Sequence, residues 1–359
     1  MQALRIYAGP KARALLANHG LQAQMVRLIP GAAGGPKGLI LGPLDRYLFG
    51  EWLTQSAQPV HLVGASIGAW RMATACLDES VKAFERLEHD YINQHYETPP
   101  GQKHPTPEQV SEVFGQNLQQ FYGGRVGEVL HHPRYQLHVI TARGRHVLQR
   151  ERKLATPLGY LGAFLSNTVH RRALGNWLER VVFSTGAGAL PFGVADFRTR
   201  RVSLSPANFH LAVQASCSIP FLLRSVSQIP GAPPGAYWDG GLTDYHLHLD
   251  YRKLCGEDGV VLYPHFQKSI VPGWLDKSLK WRHGATAFLD SAVVLAPDPD
   301  WIKTLPNGKL PDRTDFTRYG PDLAARVKAW TGAVTQARQL VDEFAAWAHN
   351  PDMSLVEPL

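Results

Sequence analysis

The chain has 359 residues, 44% hydrophobic and 19% charged, which is the balance of a globular protein able to bury a substantial core. It has no run approaching the ~20 consecutive apolar residues of a membrane-spanning helix, and Met1–Pro10 lacks the basic head and apolar block of a secretory signal. The net charge is +7, but Arg134–Arg201 holds twelve Lys/Arg against Glu151, Glu179 and Asp196, a local +9 that leaves −2 for the rest. Cys76, Cys217 and Cys255 are odd in number and have no metal-ligand spacing. They read as free thiols in a reducing compartment, so the expected location is cytoplasmic.

In chain order, Met25–Ile29 is a predicted strand running into the glycine-rich loop Gly31–Gly38, and Leu39–Leu53 a predicted helix. Val60–Val63 is a second strand, followed by a helix over Ile67–Leu77 and another that Ser80 can cap, with Val81, Phe84, Leu87 and Tyr91 on one face. A Pro-rich connector spans 98–107. It ends in Thr106-Pro107-Glu108-Gln109, a helix start with Thr at the cap and Gln able to reach back. Leu137–Thr141 and Val181–Ser184 read as buried strands, with the apolar 158–178 stretch between them helical. A helix at Ala207–Cys217 stops before Pro220, and Tyr237–Trp238 and Val260–Tyr263 are late strands. Over 322–349, Leu323, Val327, Trp330, Val334, Ala337, Leu340, Phe344 and Trp347 recur every three or four residues, a core-packing face of one amphipathic helix. Short strands alternating with helices predict an α/β fold on a mostly parallel sheet, and without a repeat or clear boundary residues 1–359 read as a single catalytic domain.

Three segments carry chemistry. Gly64-Ala65-Ser66-Ile67-Gly68 fits the G-x-S-x-G nucleophile elbow, in which glycines let backbones approach around a serine on a sharp strand-to-helix turn. An ordinary tight turn has the same composition, but here an apolar strand precedes the motif and a helix follows it. Upstream, Gly31–Gly38 is neither a P-loop nor G-x-G-x-x-G, because no Gly immediately precedes Lys37 and no Ser/Thr follows it. As an oxyanion donor loop it makes sense: Pro36 has no N–H, so Gly34 and Gly35 are the candidate donors. Asp239-Gly240-Gly241 closes a strand. Alone it is a turn, but a carboxylate within reach of a serine can serve as its base.

Together these blocks resemble the patatin-like phospholipases: Gly-Gly-x-Arg/Lys-Gly, then G-x-S-x-G, then Asp-Gly-Gly/Ala. Ala215-Ser216-Cys217-Ser218-Ile219-Pro220-Phe221 is similar to the Ala-Ser-x-Ala/Ser-x-Pro segment that precedes the Asp in that family, and the likeness covers roughly Arg27 to Asp250. The resemblance implies a three-layer α/β/α fold and a Ser–Asp dyad without histidine, cleaving acyl esters of glycerolipids with no cofactor. Ser66 would be nucleophile, Asp239 base, and Gly34 and Gly35 oxyanion donors, with Lys37, Gly38, Gly64, Gly68 and Gly240 in support. Lys37 stands where Arg is common, which keeps the charge without the bidentate fork. Tyr245-His246-Leu247-His248 stands where the family often shows Asn-x-Pro.

Four further readings accompany this one. A conventional Ser-His-Asp hydrolase would use His246, His265 or His283, and a catalytically idle protein of the same fold would bind lipid without turning it over. Asp244, His246, His248 and Asp250 alternate, which on a strand would line one face and could hold a metal, although structural histidines give the same pattern. The basic segment 134–201 suggests peripheral contact with an anionic membrane, or merely a solvated face. Without interleaved aromatics it does not suggest nucleic acid.

Overall fold

The structure is a computed structural model that describes residues 1–97, 102 and 105–359. Most of the connector at 98–107 therefore lies outside the described residues. The strands are β1 (Leu4–Ala8), β2 (Val26–Gly31), β3 (Val60–Ala65), β4 (Tyr135–Gly144), β5 (Leu178–Ser184), β6 (Thr199–Ser203), β7 (Tyr237–Asp239), β8 (Val260–Pro264), β9 (Ala292–Pro297) and β10 (Val356–Pro358). They form one sheet in the order β10-β1-β9-β8-β2-β3-β4-β5-β6, with β7 on β4. From β9 to β4 every neighbouring pair is parallel, while β1 and β5 join that block antiparallel. The fold is thus α/β with a mostly parallel central sheet and flanking helices.

The strands predicted from apolar runs are all present, extended by one to a few residues. Four were not anticipated. β9, AVVLAP, is buried along its whole length; so short and continuous an apolar run has no period to identify it. β6, TRRVS, is the charged edge of the sheet, where arginines discourage pairing with another chain.

Several helices depart from expectation for local reasons. In place of one helix over 39–53 there is a 3₁₀ segment Gly35–Leu41, an α-helix Gly42–Tyr47, a π turn Leu48–Trp52 and a 3₁₀ turn Leu53–Gln55. Pro43 has no N–H to continue the earlier ladder, so the chain restarts there. Ser80 is the first helical residue of Ser80–Asn93; Glu79 precedes it and makes no side-chain cap. The apolar 158–178 stretch is an α-helix only over Ala155–Val169. His170 is extended, and a 3₁₀ segment Arg171–Asn176 leads into β5. The C-terminal stripe belongs to two helices, Leu323–Gln336 and Arg338–His349, with Ala337 at the joint, and Trp330, Leu340, Phe344 and Trp347 are buried. At Thr106 the predicted capping box forms: its hydroxyl accepts the Gln109 N–H and the Gln109 side chain accepts the Thr106 N–H. The three cysteines are free and buried.

β4 positions the candidate site. β3 runs parallel to it until Ala65 stands opposite Ile140. On the same flank β7 then takes over, antiparallel, with Asp239 opposite Thr141. The C-terminal ends of β3 and β7 therefore meet head to head, and Ser66 and Asp239 stand at the two tips.

Candidate active site

Ser66 follows β3 with φ 57° and ψ −132°, and Ile67–Thr74 begins as a helix directly after it. A non-glycine residue at positive φ is strained, and this is the conformation that turns a serine out of a strand-to-helix elbow. The flanking glycines are required sterically. A Cβ on Gly64 would lie 2.4 Å from Ala69 Cα, and one on Gly68 would lie 1.8 Å from the Gly31 carbonyl oxygen. The helix start thus packs backbone to backbone against the end of β2.

The Ala215–Phe221 block braces this elbow. Ser216 Oγ accepts the Ser66 N–H at 3.0 Å and donates to the Ile140 carbonyl at 2.7 Å. Its own carbonyl accepts the Gly240 N–H at 3.1 Å, while the Ser218 carbonyl accepts the Asp239 N–H at 2.9 Å. Gly240 is confined as well, since a Cβ there would stand 2.1 Å from the Ile140 oxygen.

Ser66 and Asp239 line one small cavity, together with Gly34, Ile219, Pro220, Leu242, Trp274 and Arg313. Asp239 Oδ1 accepts the Gly241 N–H at 2.7 Å. Burial pushes the Asp239 carboxyl above the ordinary carboxylate range, against the opposing pull of a Ser66 hydroxyl hydrogen bond, Arg313, the Gly241 N–H and Lys277. A buried carboxylate of raised pKa beside a serine hydroxyl has the character of a general base.

Across the cavity, Gly34 lines the wall and a Cβ on it would collide with the Phe266 ring at 2.6 Å. Gly35 has φ 58° and a neighbour in Arg313, 3.3 Å from where its Cβ would stand. The loop is held by the Ala33 N–H, which donates to the Tyr245 carbonyl at 2.9 Å. Among the described residues, the Gly34 and Gly35 N–H groups enter no hydrogen bond. Gly38 faces Ile67 at 3.3 Å. Lys37 Nζ lies 5.3 Å from the centre of the Phe266 ring, and burial lowers its pKa.

Sequence reasoning missed the other half of the cavity. Trp274 and Arg313, which line it, and Lys277, whose charge acts on Asp239, come from connections beyond the last recognisable motif. Lys277 Nζ stands 4.1 Å from the centre of the Tyr245 ring, and burial, then Arg313 and Lys37, lower its pKa to about 8. Among the described residues, Lys37, Lys277 and Arg313 have no ion-pair partner, so several cations surround a single buried carboxylate. A lone Lys or Arg in a loop gives no local signal of this.

None of the candidate histidines lines the cavity. His246 accepts the Val271 N–H and packs against His265, which lies beside the Gln267 carbonyl, and His283 Nε2 donates to the Asp276 carbonyl. His61 meets His138 at 2.9 Å. The strand premise of the Asp244–Asp250 alternation also fails. Gly241–Asp244 is a helical turn, and Asp244 pairs with buried Arg180 at 2.6 Å, His248 with Thr286 and Asp250 with Arg252. These side chains diverge to separate partners. Comparison with known proteins finds no matching family model and no matching curated protein.

Proposed function

We propose that this protein is a serine acyl hydrolase of the patatin-like kind, with a three-layer α/β/α fold, that cleaves lipid carboxylic esters through an acyl-enzyme on Ser66. The observation that carries the reading is Ser66 on a strained elbow, lining one cavity with the buried Asp239 carboxyl. In the first step Ser66 Oγ attacks the ester carbonyl carbon while Asp239 takes the hydroxyl proton. The Gly34 and Gly35 N–H groups receive the oxyanion of the tetrahedral intermediate. That intermediate collapses by expelling the alcohol, whose oxygen takes the proton from Asp239. Water then attacks the acyl-Ser66 carbonyl with Asp239 again as base, releasing the carboxylic acid and restoring the serine. Ile219, Pro220, Leu242 and Trp274 give the cavity apolar walls suited to an acyl chain. The test is turnover of p-nitrophenyl acyl esters, with labelling by a serine-reactive phosphonate, in wild type and Ser66→Ala. Both are expected in wild type only. Equal turnover by a clean, folded Ser66→Ala preparation removes the assignment, and a wild type that binds lipid but neither turns over ester nor takes the label is an idle binder.

A further inference from the structure

We infer that the outward face of the Ala155–Val169 helix docks the protein on an anionic phospholipid bilayer, bringing the Ser66 cavity to the lipid surface. This rests on the lipid-ester reading above and adds where that substrate is met.

The helix, ATPLGYLGAFLSNTV, contains no Asp, Glu, Lys or Arg. Its inward face is filled by Gly159, Tyr160, Ala163 and Asn167, all buried. The opposite face is also apolar and stands in solvent: Leu158 is 67% exposed, Leu161 54% and Leu165 57%, continued by Leu154 at 81% and Val169 at 86%. These residues recur every three or four positions and so form one stripe. An exposed apolar stripe of this length marks an interaction surface.

Charge selects the occupant. Arg150, Arg152 and Lys153 stand exposed just before the helix, and Arg172 just after it, none with an ion-pair partner among the described residues. Cations at a helix N-terminus oppose its dipole, so they do not serve the helix itself. Other cations of the basic 134–201 segment have carboxylate partners: Arg143, Arg198 and Arg200 on Glu179, Arg180 on Asp196 and Asp244, Arg171 on Asp276. The exposed cations without a partner among the described residues, Arg150, Arg152, Lys153 and Arg172, flank the apolar stripe, the arrangement of an interfacial helix on anionic lipid. A second copy packed on the stripe would set cations against cations at both ends. The inward face of the same helix is tied to the cavity: the Tyr160 ring packs on Phe221 at 5.8 Å, and exposed Phe221 and Leu222 follow the cavity-lining Ile219 and Pro220.

The experiment is co-sedimentation of Ser66→Ala protein with phosphatidylcholine vesicles, with and without phosphatidylglycerol, over a range of salt. Since this protein performs no turnover, membrane binding is read independently of hydrolysis, which the wild type's soluble-ester assay reports. Binding is expected on the anionic vesicles, weakening as salt rises. Adding Leu158→Glu with Leu165→Glu should reduce it roughly tenfold or more, and Arg152→Glu with Lys153→Glu should remove its salt-sensitive part. If melting shows that the leucine pair is unfolded, the charge-reversal pair carries the test. Absence of binding, or equal binding by parent and folded variants, overturns the proposal. So does a parent dimer that the leucine substitutions convert to monomer, because the stripe would then face a second copy.

Discussion

Ser216 joins Ser66 to the sheet: its Oγ accepts the Ser66 N–H at 3.0 Å and donates to the Ile140 carbonyl at 2.7 Å. In Ser216→Ala two buried backbone groups lose their partner, at a cost of about 1–3 kcal/mol. The elbow loses the bond that fixes its strained φ, so kcat should fall roughly tenfold with KM little changed. Steady-state kinetics beside thermal melts check this; unchanged kcat in a destabilised variant would make Ser216 structural only.

Asp239→Asn should abolish esterase activity, by roughly 10²–10⁴-fold, because an amide cannot take the Ser66 proton. The same substitution should stabilise the fold at neutral pH. Burial raises the Asp239 pKa, so between the unfolded and folded values the folded state binds more protons, and stability falls as pH rises through that window. Asn removes the effect, with an expected gain of about 1 kcal/mol at neutral pH that vanishes below the ordinary carboxylate range. Melting curves at acidic and neutral pH measure it, and a variant less stable than wild type at neutral pH refutes it. Single Gln or Asn substitutions at His61, His246, His248, His265 and His283 should each leave activity within roughly tenfold. A larger loss in a folded histidine variant, with a smaller one in Asp239→Asn, would restore the triad.

Gly68→Ala places a Cβ 1.8 Å from the Gly31 carbonyl oxygen, where only backbone movement relieves the clash. We expect more than about 3 kcal/mol of destabilisation, or no soluble protein. Gly127→Ala, in a short helix with nothing within 4 Å, is the control and should be neutral or stabilising by about 0.5–1 kcal/mol. Chemical denaturation of the pair decides.

Lys277 loses its charge as pH rises through about 8. An ester carrying a phosphate or carboxylate should then lose attraction to the cavity, and its kcat/KM should fall by roughly threefold to tenfold above that pH. A neutral ester should show no such limb, and Lys277→Gln should flatten the anionic profile. Identical alkaline limbs for both esters would assign the titration elsewhere.

What the sequence reveals is what short-range backbone chemistry dictates. Gly64, Ser66 and Gly68 declare an elbow because the turn and its close approaches need those residues at that spacing. Thr106 and Gln109 declare a helix start because both halves of the cap are local. β9 and the Gly42 restart were less legible, the first because a continuous apolar run has no period, the second because Pro43 interrupts an otherwise helical pattern. Arg313 was invisible. It reaches Gly35 and Asp239 only through the fold, across nearly three hundred residues of chain in one case.

On the proposed function, the head-to-head meeting of β3 and β7 along β4 makes the hydrogen-bond ladder a ruler for catalysis. The span between Ser66 and Asp239 is graduated in peptide units, at ~3.3 Å per residue, with the Ser216 side chain fixing the Ser66 end. Trp274 and Arg313, which line the cavity, and Lys277 beside them hang on separate connections outside that scale. On the proposed function, the backbone that spaces Ser66 from Asp239 is therefore distinct from the connections that carry these side chains, although their charges still act on Asp239. The walls of this cavity form an exchangeable part, and an engineer could recut the connections around residues 274–277 and 313 for a new acyl ester while leaving the ruler untouched.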